Sequence, residues 1–155
     1  MQEFLQHGKD TVTKAQAIFA SVFVIQNRLQ TACEKVQQQI TMRQWLLLAM
    51  AEICEEPKTL TNIGRLMGCS RQNVKKLAAA LEKKNFVRLL SGANNSTLVE
   101  ITPTAEEYLL AMAERQNDVL KALFSPFEGA EIDALFMLQN KLLDGVQAVE
   151  NYAKQ

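Results

Sequence analysis

Residues 59–85 read TLTNIGRLMGCSRQNVKKLAAALEKKN, and the order of caps, turn and apolar spacing within them decides the fold. Thr59 or Thr61 can cap a short helix running through Met67, Gly68-Cys69-Ser70 makes a turn, and Ser70 can cap a longer helix from Arg71 to about Lys84. Asn85 stands just past the last helical turn, where a residue that tolerates left-handed dihedrals is wanted. Ile63, Leu66 and Met67 are spaced to pack against Val74, Leu77 and Leu81, which leaves Arg71, Gln72, Lys75 and Lys76 facing outward. This is the pattern of a helix-turn-helix, in which the first helix braces the second so that the residues at its start reach base edges in the major groove. Arginine can read guanine bidentately, glutamine can read adenine, lysines can anchor phosphates, and the amides at the helix start add a phosphate site.

Outward from this stretch the signals stay consistent. Downstream, FVRLL, SGANNS and TLVEIT are two β-prone runs around a turn, which predicts a hairpin. Upstream, Thr41-x-x-Gln44 forms a capping box before WLLLAMAEI, a mostly buried helix that stops before Pro57. Ahead of it, Ile18, Phe19, Val22, Ile25, Leu29, Ala32, Cys33 and Val36 trace one stripe on a long helix. Thr102-Pro103 begins another, with Ala105, Tyr108, Leu109, Met112, Val119, Leu120, Leu123 and Phe124 in register. After Ser125-Pro126, a last helix from about Gly129 carries Ile132, Leu135, Phe136, Leu142, Leu143, Val146, Val149 and Tyr152.

The formal net charge is zero, but it is segregated: residues 58–90 hold eight basic residues against the single acid Glu82, leaving nine basic and sixteen acidic residues elsewhere. A polyanion is therefore drawn to the middle of the chain, while the acidic remainder disfavours sequence-blind attachment. With 48% apolar residues in 155, the chain can build a core. Its longest wholly apolar run, Trp45–Ala51, is far short of the ~20 residues a membrane span needs. The opening MQEFLQHGKD shows no secretory pattern, so the expected location is cytoplasmic. Cys33, Cys54 and Cys69 are odd in number and lack C-x-x-C spacing, which favours reduced thiols over disulfides or a zinc site.

The stretch TMRQWLLLAMAEICEEPKTLTNIGRLMGCSRQNVKKLAAALEKKNFVRLL, the hairpin and EITPTAEEYLL together resemble the multiple-antibiotic-resistance regulator (MarR) family of winged helix-turn-helix repressors. The specific parts are Thr41-x-x-Gln44-Trp45, Leu60-Thr61, Cys69-Ser70-Arg71, Leu81-Glu82-Lys83-Lys84 and Ile101-Thr102-Pro103. The resemblance covers nearly the whole chain. It implies a homodimer formed by the first and last two helices, a palindromic operator and, as in many members, a small-molecule or oxidant signal that releases DNA. The chain departs from the family in three places. The wing tip Ser91-Gly92-Ala93-Asn94-Asn95-Ser96 has no charge where the family has an acid and arginines, and Asn85 and Ala105 stand where it usually has glycine.

The expected architecture is thus mainly α with a small β-hairpin: one chain, 1–155, with a winged helix-turn-helix over 41–102 and dimerisation helices over 11–38 and 103–153. The candidate DNA-binding residues are Ser70, Arg71, Gln72, Asn73, Lys75, Lys76, Arg88, Asn94 and Asn95. Arg88, at the base of the hairpin, can substitute for the missing tip cation by reaching along it. Each tempting residue has a plainer reading. The basic helix can be a solvated face of an ordinary helical hairpin. Cys69 can be a small buried hydrophobe rather than an oxidant sensor. Trp45 and Phe23 can be core rather than the lining of a ligand cavity. His7, the only histidine, is expected in a mobile tail, which leaves no histidine-based triad or metal site, no acid/base pair, no cofactor motif and no case for an enzyme. Two classes of function stand: a sequence-specific DNA-binding regulator, or a degenerate winged helix serving as a protein-interaction module.

Overall fold

A computed structural model of the protein describes residues 10–154; the reading of His7 falls outside them. The elements are α1 (Thr11–Glu34), α2 (Met42–Ile53), α3 (Leu60–Leu66), α4 (Arg71–Glu82), β1 (Val87–Ser91), β2 (Thr97–Ile101), α5 (Pro103–Phe124) and α6 (Gly129–Tyr152). The chain divides into two compact units, one ending at Met112 and the other beginning at Ala113, with α5 contributing to both.

Every helix boundary in the first unit has a chemical cause. Asp10 caps α1 by accepting from the Thr13 amide at 2.9 Å, and that bond holds its carboxyl below the ordinary aspartate range. The capping box expected at Thr41 is present in both directions: the Gln44 amide donates to the Thr41 hydroxyl at 3.2 Å and the Thr41 amide donates to the Gln44 side-chain oxygen at 3.0 Å. Thr59, not Thr61, caps α3, and Ser70 caps α4. α3 ends in a Schellman motif: Gly68 takes φ 62°, the Cys69 amide bonds the Gly64 carbonyl at 2.9 Å, and the Gly68 amide bonds that of Arg65 at 3.3 Å. The same device ends α4, where Asn85 at φ 60° lets the Phe86 amide reach the Leu81 carbonyl at 3.0 Å. Asparagine can therefore stand at that position because left-handed backbone is within its range.

The core gathers Leu47, Leu48 and Ala51 from α2, Leu60 and Ile63 from α3, and Val74, Ala78 and Leu81 from α4. Phe86, Val87 and Val99 from the hairpin and Ala105, Tyr108 and Met112 from α5 complete it. Phe86 stacks on Tyr108 with ring centroids 5.2 Å apart, and the Tyr108 hydroxyl donates to Gln37 in the α1–α2 connection at 3.0 Å. One expectation needs correcting. Leu66 does not pack against α4 but stands exposed on the last turn of α3, because Ile63 and Gly64 take the inward positions there. Trp45 packs against the core while Phe23 is exposed, so the two do not line a common cavity in one chain.

The second unit has no such core. No residue from Ala113 to Lys154 is buried, and the stripe on α6 lies in solvent: Phe136 is 68% exposed and Leu143 62%. α1 likewise buries only Ala17 and exposes Ile18, Phe19, Val22, Phe23 and Ile25.

α3 and α4 approach as closely as their backbones allow. A methyl at Gly64 would lie 2.8 Å from the Cys69 carbonyl oxygen and 3.2 Å from a Val74 methyl. Gly64→Ala gains the ~1 kcal/mol helix preference of alanine but meets an overpacking cost of about 1–3 kcal/mol against backbone that cannot yield cheaply. The variant should therefore lose stability. Gly68→Ala, with open space around it but φ 62°, should lose about 1–2 kcal/mol through backbone strain alone. Urea unfolding of the two variants checks both; an unchanged midpoint for Gly64→Ala would mean that the turn shifts freely.

Candidate nucleic-acid interface

α4 is amphipathic because Val74, Ala78 and Leu81 recur at helical spacing and are buried. The residues between them at its start, Arg71, Gln72, Asn73, Lys75 and Lys76, are all exposed. The Ser70 hydroxyl accepts from the Asn73 amide at 3.3 Å, so the cap consumes one of the helix's free amides and leaves others at the same end. Among the described residues, none of Arg71, Lys75 and Lys76 is in an ion pair.

The hairpin is anchored on three sides. β1 and β2 pair antiparallel from Val87↔Ile101 to Ser91↔Thr97. On the outer edge of β2, the Val99 amide bonds the Lys58 carbonyl at 2.9 Å, and Thr59 bridges to Leu98, tying the wing to the chain that enters α3. At its base, the Thr102 amide bonds the Phe86 carbonyl at 3.1 Å. Toward α4, the Glu82 carboxylate accepts from the Leu89 amide at 2.8 Å. The lone acid of the basic segment is thus an anchor for β1, a role for which the sequence carries no signal.

The tip is a single 3-10 turn, Ala93–Asn95, closed by the Gly92 amide on the Ser96 carbonyl and the Ser96 amide on the Ala93 carbonyl, each at 3.0 Å. Asn94 and Asn95 have φ 54° and 56°, so the reason for asparagine here is conformational: bulkier residues pay heavily in the left-handed region. A methyl at Gly92 would lie 2.4 Å from the Ser96 hydroxyl and 3.0 Å from Leu98, so any larger residue there must displace those side chains.

The structure sorts the candidate residues into one cluster and one outlier. Ser70, Arg71, Gln72, Asn73, Lys75 and Lys76 share the exposed start of α4, and the Arg71 guanidinium donates to the Asn95 backbone carbonyl at 3.5 Å, joining helix to wing tip across 24 residues of sequence. Arg88 lies apart on β1, directly opposite Glu100 on β2, with 3.6 Å between guanidinium and carboxylate. Both partners are exposed, so this pair adds at most about 1 kcal/mol. Cys69 is half-buried against the core, Cys54 is buried, and Cys33 is intermediate. No three His, Cys, Asp or Glu side chains group as a metal would require among the described residues, and no helix there is long and apolar enough to cross a membrane.

A helix-turn-helix followed by a hairpin wing, framed by long helices at both ends, has solved counterparts. A MarR/EmrR family transcriptional regulator from Acinetobacter sp. ADP1 superposes with a TM-score of 0.77 at 19% identity, over 86% of this chain and 97% of that one. The chain has the winged-helix fold of the MarR-family regulators. Staphylococcus aureus MepR in its DNA complex matches with a TM-score of 0.71 at 16% identity, covering 83% of this chain and 97% of that one. PcaV from Streptomyces coelicolor, in complex with its natural ligand, matches at 0.63 and 17% identity, over 79% and 91% of the two chains. No protein-family model matches the sequence, and no curated protein matches it.

The Glu82 anchor yields a direct test. Glu82→Ala removes a charge-assisted bond worth about 1.5–3 kcal/mol in protected sites, and Glu82 is exposed, so the loss should fall at the low end or below. Glu82→Gln keeps an acceptor and should recover most of it. Amide exchange at Leu89 should accelerate in Glu82→Ala and much less in Glu82→Gln; equal protection in all three proteins would show that the carboxylate does not hold the wing.

Proposed function

We propose that this protein is a sequence-specific DNA-binding transcriptional regulator, a repressor acting as a homodimer on a palindromic operator. The observation that carries the reading is the exposed start of α4 beside the wing tip, where three cations without ion-pair partners stand next to Gln72, Asn73 and the tip asparagines. A solvated face would also leave these cations unpaired, but their concentration at the start of a braced helix, beside side chains that can read bases, is the arrangement a phosphate backbone uses. Gln72 and Asn73 are the base readers in this reading, Lys75 and Lys76 bind phosphates, Ser70 positions the helix-start amides, and Arg88, Asn94 and Asn95 serve the wing. The fold shared with MepR, solved on DNA, is compatible with such docking.

The homodimer rests on the second unit. A 24-residue helix with no buried residue and an apolar stripe, together with the exposed stripe of α1, is a surface that a soluble single chain does not maintain. A dimer through these helices would place two copies of α4 about 34–36 Å apart, the repeat of successive major grooves. A small-molecule or oxidant signal would act by changing that separation; PcaV, of the same fold, is solved with a natural ligand.

Two measurements test this. Sedimentation at micromolar concentration should give a dimer, and a single monomeric species would overturn that half. On duplexes selected from genomic fragments, Gln72→Ala should alter base preference by about 1–3 kcal/mol at one position per half-site, whereas Lys75→Ala or Lys76→Ala should weaken all sequences alike and lower the salt slope by about one unit per lost contact. Absence of any salt-sensitive duplex binding by the parent protein would leave the fold serving as a protein-interaction module instead.

A further inference from the structure

The wing tip is uncharged in sequence, yet the structure does not leave it without a cation. Arg71, the first residue of α4, extends its guanidinium to the Asn95 backbone carbonyl at 3.5 Å. Its side chain is exposed and in no ion pair among the described residues. A guanidinium has five N–H donors in a planar fork, so one bond to Asn95 leaves four for an anionic partner. The other candidate, Arg88, pairs with Glu100 directly across the hairpin and begins three residues before the strand ends at Ser91, about 10 Å from it at strand rise.

We propose that Arg71 is the wing's cation: it belongs to α4 in sequence but acts at the wing tip, where it contacts the DNA backbone and the groove flanking the site read by α4, and it does not read a base in the major groove. This rests on the DNA-binding reading above and narrows it. Three observations converge. The acceptor is a main-chain carbonyl, so the contact depends on tip geometry and needs no polar group from the side chain at position 95. That geometry is fixed by two consecutive left-handed asparagines, by Gly92 and by the closing bonds to Ser96 and Ala93, so the carbonyl is held in place before DNA arrives. Third, the tip offers no other positive charge to the negative potential of a narrow minor groove. With Arg71 bound there, Gln72 and Asn73 are left as the readers at the start of α4.

The test uses the full-length protein and duplexes that the parent selects from a random-sequence library, so that failure of the parent to select any would refute the DNA-binding reading, separately from this one. Each selected duplex is then varied either in its core or only in its flanks. Arg71→Ala should weaken binding roughly tenfold or more, lower the salt slope by about one unit for each half-site, and abolish discrimination between flanks while leaving core base preference as in the parent. Arg71→Lys keeps the charge but not the fork, and should recover the salt slope without full flank discrimination. Adding Asn95→Arg to Arg71→Ala should restore affinity and flank preference, since it returns a cation to the same place; a residue that read a base could not be replaced in this way. Altered core preference in Arg71→Ala, with no rescue by Asn95→Arg, would overturn the proposal. Unfolding midpoints separate loss of binding from loss of fold: those of Arg71→Ala and Arg71→Lys are expected near the parent because the position is exposed, and that of the variant carrying Asn95→Arg somewhat below it because arginine must adopt φ 56° there.

Discussion

The close passage of α3 under the start of α4 is the constraint on which the rest depends. Gly64 lets the Cys69 carbonyl and Val74 approach within distances that no larger residue allows, and the Schellman turn at Gly68 aims Ser70 into its capping position. Angle and start of α4 are thus set by backbone atoms, which cannot adjust as side chains do. Arg71 follows directly upon that turn. Its reach to Asn95 is possible only because both ends of the span are fixed independently, one by the turn and one by the left-handed tip.

The wing shows how a two-stranded hairpin, marginal in isolation, is made rigid. Its strands pair over five residues, but the bonds that fix its direction run sideways: to Lys58 and Thr59 ahead of α3, to Glu82 at the end of α4, and from Thr102 back to Phe86. The two ends of the helix-turn-helix therefore hold it, and a displacement of α4 would be felt at the wing. Glu82 is the only acid between residues 58 and 90, and its carboxylate supplies the acceptor that the Leu89 amide uses on the side of β1 away from β2.

Most of the fold was legible because its determinants are local. The capping box at Thr41, the serine or threonine before α2, α3, α4 and α5, left-handed residues after α3 and α4, and period-two runs around Gly92 act over five residues or fewer, and the helix and strand boundaries in that stretch follow them. What could not be read depends on separation. Thr59 and Thr61 are equivalent as caps until the chain's path from Lys58 along β2 selects Thr59. Leu66 fits the apolar period as well as Ile63 does, and only the closeness of α4 at Gly64 decides which turns inward. Arg71 and Asn95 have no sequence relation, so charge counting made the tip neutral when geometry does not.

Zero net charge and a half-exposed apolar surface would each, alone, describe an unpromising monomer, and together they describe a division of labour. The net positive charge lies between Lys58 and Arg88, eight bases against one acid, in the unit with a core of its own. The acids and the unsatisfied apolar stripes lie largely on the terminal helices, whose order in a single chain is not explained by burial, since α6 buries none of its residues. In the dimer proposed above, burial of this apolar surface at ~25 cal/mol per Å² would be a driving force that arises only when two copies meet. Stability of the terminal helices is then coupled to protein concentration, whereas stability of the reading head is not. A ligand that alters how two copies pack can accordingly change the spacing of the heads without disturbing the chemistry of either, which is the property a releasable DNA-binding protein needs.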